Sequence, residues 1–430
     1  MKTFRDPVHN IISFDKISEK VLLDLIDTKE FQRLRHIKQL GLSSFTYPGA
    51  EHTRFMHSLG VVHLTKRFID KICTLKNIDL RYIDELKENR ILALAAALLH
   101  DIGHGPFSHA LEKTTKVKHE TWTIEIITGD TEIKSVLESY KTGFSREVAE
   151  VIHRTHESKA IVKLLSSQLD TDRIDYLIRD SKFSGAGYGA FDLEWLINCL
   201  RIGEVNGDTE FGLDLNKGLS IAEDFIMARY YMYVNVYFHR ATRSAELIID
   251  KIFQRAAELD REGKVGLPED LSEIIQRISV HDTLNNYLNL TESTILHYFS
   301  LWTKSNDEIL TDLCNRLLNR KLFKEIQFDG NLFEFWAKAV KIFGEKGIPT
   351  DYYLLMDEAT SSTYKDYYIS QKPKAEESER EASEQIFLFD KIGNGIELTN
   401  KSKIINQIRN EGIKINRMFM PEEYKKFLGG

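Results

Sequence analysis

Ten residues of the chain, 100–109, combine metal-ligating and acid–base side chains at close spacing. They read His-Asp-Ile-Gly-His-Gly-Pro-Phe-Ser-His and directly follow the apolar run 91–99. Neutral imidazole and carboxylate are ligands that Zn, Fe, Mn and Ni accept. Left without partners at the end of a buried helix, these groups would carry a large desolvation penalty. The pattern therefore predicts a metal centre at the end of that helix.

Two other segments carry polar and aromatic residues at helical spacing, i, i+4 and i+8. One face consists of Asp172, Tyr176 and Asp180. The second face consists of Arg229, Tyr233 and Tyr237. The residues alone leave two interpretations open for each face. The faces are walls of a ligand pocket, or the first is a solvated helix surface with an Asp175–Arg179 ion pair and the second is core or subunit interface.

These residues need a scaffold, and length and composition indicate its class. The 430 residues are 42% hydrophobic and 29% charged, as in an ordinary soluble enzyme of two or three packed units. The net charge of −7 lacks the excess of basic residues that is typical of nucleic-acid-binding proteins. Nucleic acid is therefore not expected as a partner. The three cysteines are far apart and form no CxxC pair, which argues against disulfides and thiolate zinc. No apolar run reaches the roughly 20 residues that span a bilayer, and no signal-peptide core is present. We expect a cytoplasmic protein without membrane association.

The hydrophobic pattern changes near residue 320. Before it, helical periodicity dominates, and the whole chain has only seven prolines. After it, short strands are predicted at 322–328, 351–356, 367–370, 386–390 and 395–398, with helices at 332–343 and 403–410. We therefore expect a mainly α protein, with a helical core over 1–320 and a smaller C-terminal α+β subdomain over 321–430. The charged insert near 371–385 is predicted to be a solvated loop or an exposed helical turn.

Several long motifs in order carry a family resemblance. The order His57, His100-Asp101, Asp172 resembles the metal tetrad of HD-domain phosphohydrolases. Four segments resemble the deoxynucleoside triphosphate triphosphohydrolases (dNTPases), which include the vertebrate SAM-and-HD-domain enzyme and tetrameric bacterial enzymes: 31–41, 54–61, 100–109 and 172–180. The resemblance covers roughly residues 2–260. It implies an HD-domain fold and metal-dependent hydrolysis of a dNTP to deoxynucleoside and inorganic triphosphate.

The resemblance assigns roles around the metal. One divalent transition metal (Zn, Fe, Mn or Ni) would be held by His57, His100, Asp101 and Asp172. Mg would accompany the triphosphate. The catalytic set would be His104, His109, Glu112 and His119. His109 would be the general acid to the leaving 5′-oxygen, because imidazole titrates near neutrality. Glu112 would orient His109, in a position where the family usually has Asp.

The resemblance also assigns substrate and regulatory contacts. The triphosphate would be clamped by Arg54, Arg173 and Arg229. The sugar and base would be contacted by Gln39 and Asp180 at the 3′-hydroxyl, Tyr176 and Tyr237 at the 2′ position, Leu40 at the base, and Tyr233, which replaces a family His. A regulatory site between subunits would use Lys2, Asp27, Gln32, Arg35 and Lys217. This implies activation by dGTP or GTP and a homo-oligomer, a tetramer or a dimer.

Two other functions remain open at this stage. One is another nucleotidase or phosphodiesterase of the HD superfamily, and the other is a non-catalytic nucleotide sensor or single-stranded nucleic-acid binder. Gln39, Tyr176 and Asp180 favour a dNTP, because they would contact a deoxyribose. The intact tetrad and the acidic net charge weigh against a sensor. No role is assigned to four further histidines, predicted to be packed or on the surface: His9, His36, His52 and His63.

Overall fold

The computed structural model of this chain confirms a mainly α protein with three small sheets. It describes residues 1–76, 78–107, 109–275, 279–326, 332–362, 364, 385–409 and 412–428. The side chain of His109 also lies outside the described part. None of the helices in these ranges has the length and apolar character that crossing a lipid bilayer requires.

Helices make up most of the described chain. The first eleven α-helices are α1 Lys20–Ile26, α2 Lys29–Arg33, α3 Arg54–Cys73, α4 Leu80–Glu88, α5 Arg90–Leu99, α6 His109–Thr115, α7 His119–Thr128, α8 Glu132–Tyr140, α9 Phe144–Ile152, α10 Lys159–Leu165 and α11 Thr171–Ser184. The others are α12 Leu193–Cys199, α13 Leu219–Met232, α14 Arg240–Arg261, α15 Glu269–Ile275, α16 Leu284–Asn289, α17 Glu292–Trp302, α18 Glu308–Leu318, α19 Leu332–Glu345, α20 Thr350–Tyr353 and α21 Lys403–Ile408. Short 3₁₀ turns lie at Leu34–His36, Gly41–Phe45, Leu398–Asn400 and Glu422–Phe427, and a π-helical turn at Tyr233–Tyr237.

The strands form three separate sheets. They are β1 Lys2–Asp6, β2 Asn10–Phe14, β3 Leu200–Val205, β4 Asp208–Asp214, β5 Lys324–Ile326, β6 Leu355–Ser362, β7 Phe387–Phe389, β8 Gly395–Glu397 and β9 Gly412–Met420. β1 and β2 form an antiparallel hairpin with Lys2 opposite Phe14. The second sheet has the order β3-β4-β7-β8, with β4 and β7 parallel. The third has the order β5-β9-β6, with both pairs antiparallel.

Three packed helices position the motif residues at the centre of the molecule. α5 consists almost entirely of Leu and Ala, which favour helix, and it is buried on all sides, as its unbroken apolar pattern predicts. α3 packs against both α5 and α11. α11 begins where the Asp170 side chain accepts the Arg173 backbone N–H at 2.7 Å, and it ends at Gly185 in the left-handed conformation. The ends of these helices therefore have fixed positions around one point.

The region after residue 320 agrees in part with the predicted pattern. The helices near 332 and 403 and strands β5, β7 and β8 lie close to where they were predicted, but 350–353 is helical and β9 was not predicted. Residues 367–370 and nearly all of the insert 371–385 lie outside the described residues. The division at residue 320 stays a prediction. The β5-β9-β6 sheet lies wholly after it, whereas β7 and β8 complete a sheet begun by β3 and β4.

Candidate active site

The structure brings the four predicted metal ligands together at the ends of three helices. His57 lies in the first turn of α3, His100 and Asp101 follow α5, and Asp172 lies in the first turn of α11. The Nε2 atom of His57 lies 3.0 Å from Oδ1 of Asp172. The Nε2 atom of His100 lies 3.5 Å from Oδ1 of Asp172 and 3.5 Å from Oδ1 of Asp101. Two imidazoles and two carboxylates therefore face one another in a buried cluster.

Hydrogen bonds on the far side of each ring fix its tautomer. Nδ1 of His100 lies 2.9 Å from the Ala97 carbonyl oxygen, which can only accept, so this nitrogen carries the proton. Nδ1 of His57 lies 2.8 Å from Oδ2 of Asp175, which likewise accepts. Both Nε2 atoms then present lone pairs to the cluster, and both are buried without a hydrogen bond in the described structure.

This donor set fits a divalent transition metal. The ligand atoms of His57, His100 and Asp101 lie within 4.8 Å of one another. Lone pairs and carboxylate oxygens at this spacing repel one another unless a cation lies between them. Neutral imidazole and carboxylate are ligands that such metals accept. The assignment of individual ligands stays a prediction, since it rests on this geometry and on the family motif.

The electrostatic environment also favours positive charge at the centre. Burial alone would lower the pKa of His57, but the carboxylates of Asp172 and Asp175 beside its two ring nitrogens raise it to about 10. Burial alone would raise the pKa of Asp172, but His100 and His57 lower it below its usual value. The cluster thus stabilises either protons on its imidazoles or a metal cation among them.

The predicted catalytic residues adjoin this cluster through Asp101. Nε2 of His104 lies 3.4 Å from Oδ1 of Asp101, and burial lowers the pKa of His104 well below its usual value. The rings of His104 and His119 stack with their centroids 3.7 Å apart. Oε1 of Glu112 lies 2.5 Å from Nδ1 of His119, so Glu112 orients His119 in this structure. Its predicted contact with the His109 side chain lies outside the described residues.

The three predicted phosphate-clamping arginines are each held by a neighbouring group. Arg54 is buried and pairs with the Asp101 carboxylate. Arg173 pairs with the carboxylate of Asp170 and the carbonyl oxygen of Ser167. For the third, Arg229, Nη1 donates to Oε1 of Gln168 at 2.8 Å. The first two arginines lie beside metal-ligand candidates, so positive charge borders the cluster.

The predicted sugar-binding residues meet at Asp180. The Tyr237 hydroxyl donates to Oδ2 of Asp180 at 2.9 Å, and the Tyr176 and Tyr237 rings lie edge to face, 6.1 Å apart. Nε2 of His52 lies 2.7 Å from Oδ1 of Asp180, and the His52 carbonyl oxygen accepts the Gln39 backbone N–H at 3.0 Å. Oε1 of Gln39 is buried and makes no hydrogen bond in the described structure. Asp180 and Gln39 are thus linked through His52, a residue to which the sequence pattern assigns no role.

The second predicted helix face has a different local geometry. α13 ends at Met232, and Tyr233–Tyr237 forms a π-helical turn, a feature that is frequent at functional sites. Arg229 still lies over the Tyr233 ring, 5.6 Å from its centroid, and the Tyr233 and Tyr237 rings are 4.9 Å apart. Leu40 is half-buried directly before the 3₁₀ turn at Gly41. The two faces therefore meet as walls of one aromatic-lined region.

Four of the five predicted regulatory residues lie near the start of the chain and form two contacting pairs. Nζ of Lys2 lies 3.3 Å from Oδ1 of Asp27. Gln32 donates to the Ile26 carbonyl oxygen at 2.7 Å and accepts from Nε of Arg35 at 2.8 Å. Within the described part of the chain, no hydrogen bond or ion pair joins Lys217 to these residues. The regulatory role of all five stays a prediction.

Comparison with known proteins identifies the family. The HD domain model matches residues 54–180, which include all four metal-ligand candidates, and the HD associated region model matches 191–331. The protein YwfO of Bacillus subtilis is 41% identical over 98% of this chain and 92% of its own. The chain belongs to the HD-domain phosphohydrolase family. Such proteins are metal-dependent hydrolases, and the cluster described above is where this hydrolase could hold its metal.

Two further relatives bear on the activity of this phosphohydrolase. The deoxynucleoside triphosphate triphosphohydrolase SAMHD1 of Gallus gallus is 28% identical over 68% of this chain and 52% of its own. A crystal structure of a phosphohydrolase from Bacteroides thetaiotaomicron matches with a TM-score of 0.79 and 26% identity. This match covers 98% of this chain and 99% of that one.

Proposed function

We propose that this HD-domain phosphohydrolase hydrolyses a dNTP to a deoxynucleoside and inorganic triphosphate. The observation that carries the proposal is the arrangement of α11. Asp172, Tyr176 and Asp180 follow one another on one helix face, at intervals of about 6 Å along the axis. A ligand lying along this face meets the metal-ligand cluster at one end and the groups of Asp180, Tyr237 and Gln39 at the other. The similarity to the deoxynucleoside triphosphate triphosphohydrolase of Gallus gallus supplies independent support.

The metal would be Zn, Fe, Mn or Ni, held by His57, His100, Asp101 and Asp172. A divalent metal bound there supplies Lewis acidity toward a phosphate oxygen and toward the attacking water. Arg54, Arg173 and Arg229 neutralise the triphosphate, with Mg as its counterion. The arginines must exchange some of their present partners for phosphate oxygens as the substrate binds.

The remaining residues of the pocket handle protons and select the sugar. His109 donates a proton to the leaving 5′-oxygen, while Glu112 holds His119 against His104 beside the same phosphate. Water attacks the α-phosphorus and the bond from this phosphorus to the 5′-oxygen breaks. The protonated deoxynucleoside is the leaving group, and the triphosphate keeps the oxygen of the attacking water. Asp180 and Gln39 bind the 3′-hydroxyl, and Leu40 contacts the base.

The tyrosines favour deoxyribose over ribose. Tyr176 and Tyr237 pack edge to face, and the Tyr237 hydroxyl is already engaged by Asp180. An additional 2′-hydroxyl would meet the aromatic rings without a hydrogen-bonding partner, which costs free energy. Discrimination against ribonucleotides therefore follows from the packing of these two rings.

A guanine nucleotide is proposed as activator, at a site between subunits of a dimer or tetramer. Two contacting pairs, Lys2 with Asp27 and Gln32 with Arg35, combine donors and acceptors suited to a base edge with a lysine suited to phosphate. Size-exclusion chromatography with light scattering, with and without GTP or dGTP, tests this assembly. A monomer under all these conditions would contradict it.

Product analysis tests the proposed reaction. The purified protein is incubated with each dNTP and a divalent metal, with and without GTP or dGTP, and the products are separated by chromatography. We expect deoxynucleoside and triphosphate, and we expect His100→Ala to abolish their release while His153→Ala, at an exposed histidine, does not. A monophosphate product would instead indicate a nucleotidase or phosphodiesterase, and binding without turnover would indicate a sensor.

A further inference from the structure

The turn of the N-terminal hairpin contacts Asp175, the carboxylate that hydrogen-bonds to the candidate ligand His57. β1 ends at Asp6 and β2 begins at Asn10, so residues 7–9 form the turn between them. Oδ1 of Asp6 accepts the backbone N–H groups of Val8 at 2.9 Å and His9 at 2.8 Å. This side chain therefore holds the turn in one conformation and fixes the direction in which His9 points.

His9 reaches the carboxylate that supports His57. Nε2 of His9 lies 2.6 Å from Oδ1 of Asp175, and their side chains are 1% and 0% exposed. The other oxygen of Asp175 lies 2.8 Å from Nδ1 of His57. The three side chains thus form a continuous buried chain from the hairpin to a candidate metal ligand.

Arg179 provides a second connection between the hairpin and the same carboxylate. Its Nη1 donates to Oδ2 of Asp6 at 2.7 Å, and its Nε donates to Oδ2 of Asp175 at 2.8 Å. Gly60 on α3 leaves room for this pair, because a methyl group there would overlap the Asp175 carboxylate and the Arg179 guanidinium. Asp175 is therefore held on every side, by two imidazoles and one guanidinium.

We propose that the N-terminal hairpin is part of the metal centre, with His9 as a positioning residue that fixes Asp175 and, through it, the orientation of His57. The inference rests on the metal centre proposed above. A carboxylate that accepts the Nδ1 proton of a ligating imidazole keeps Nε2 free for the metal and keeps the ring in place. Without His9, Oδ1 of Asp175 keeps only the Nη2 donor of Arg179, at 3.0 Å, and the carboxylate can rotate away from His57.

Metal affinity of the full-length protein tests this role. Apoprotein is prepared with a chelator and titrated with Co²⁺, whose visible absorption reports bound metal and its coordination. His9→Phe keeps the ring volume but removes the donor, and His9→Gln restores an N–H donor. His63→Phe is the matched control, because the His63 ring lies 5.0 Å from that of His9 but makes no hydrogen bond to Asp175. Thermal unfolding of each apoprotein separates folding from metal binding.

The outcomes distinguish this inference from the metal centre itself. We expect His9→Phe to bind Co²⁺ about tenfold more weakly, in the range that loss of an outer-shell partner produces. His9→Gln should recover most of the affinity, and His63→Phe should match the wild type. Affinity unchanged in His9→Phe would overturn the inference and leave the metal centre standing. Failure of the wild type to bind Co²⁺ in a His57-dependent way would overturn both.

Discussion

Glu292 makes the stability of the protein depend on pH in a direction that the structure fixes. It is the first residue of α17, it is 4% exposed, and its Oε1 accepts the Lys38 backbone N–H at 3.0 Å. Burial raises the pKa of Glu292 from an ordinary 4.5 to about 7. The folded chain therefore keeps the carboxyl proton of Glu292 at pH values where the unfolded chain has released it.

The sign and size of the effect follow from this difference in pKa. While the folded state binds more protons than the unfolded state, the free energy of unfolding falls as pH rises. The free energy of unfolding begins to fall near the pKa of Glu292 in the unfolded chain. The fall ends once the pH has passed the pKa of Glu292 in the folded chain, about 7. At about 1.4 kcal/mol for each pH unit, the total contribution is about 3 kcal/mol.

Replacing Glu292 with glutamine isolates this contribution. Glu292→Gln keeps an acceptor oxygen for Lys38 and cannot ionise. The free energy of unfolding of the variant, relative to that of the wild type, should therefore rise by about 3 kcal/mol between about pH 4.5 and about pH 8. Urea denaturation at both pH values measures the difference. Glu308→Gln is the control, since Glu308 begins α18 as Glu292 begins α17 but is exposed. A difference between Glu292→Gln and wild type that does not change with pH would refute the reasoning.

Three further substitutions test the site. Asp175→Asn should weaken Co²⁺ binding about 10–100-fold, because its amide can donate to His57 and move the ring proton onto Nε2; equal affinity in an absorption titration would contradict this. Gly60→Ala should lower both the urea midpoint and the Co²⁺ affinity, since the added methyl displaces the Asp175 carboxylate. A midpoint equal to that of the wild type would show that the neighbouring side chains move aside without loss of stability. Tyr237→Phe should raise the KM for a dNTP about tenfold with little change in kcat. The reason is that the Asp180 carboxylate, which is proposed to bind the sugar, loses the hydrogen bond from the Tyr237 hydroxyl. An unchanged KM would place the sugar elsewhere.

The sequence predicts those parts of the site in which local spacing carries the information. An unbroken Leu and Ala run predicts the buried helix α5, and the polar residues after it mark its end. Helical spacing predicts that Asp172, Tyr176 and Asp180 share a face, because α11 is a regular helix. The Asp175–Arg179 pair also follows from its i,i+4 spacing, but it lies in the core and not on a solvated surface.

Contacts between distant segments could not be predicted in this way. His9 bonds to a residue 166 positions away and His52 to one 128 positions away, so neither has a local pattern that distinguishes it from an ordinary packed histidine. The parallel pairing of β4 with β7 likewise joins segments that are far apart in sequence. The residue spacing does not predict the π-helical turn at Tyr233–Tyr237 either, and the Tyr237 ring of this turn contacts Tyr176 of α11, a distant segment of the chain.

The position of bond cleavage tests the central proposal most directly. The reaction is run with a dNTP in ¹⁸O-labelled water, and the products are followed by ³¹P nuclear magnetic resonance and mass spectrometry. Attack of water at the α-phosphorus predicts intact triphosphate that carries one ¹⁸O on a terminal phosphorus, together with an unlabelled deoxynucleoside. Release of deoxynucleoside monophosphate and pyrophosphate, or ¹⁸O in the deoxynucleoside, would contradict the account.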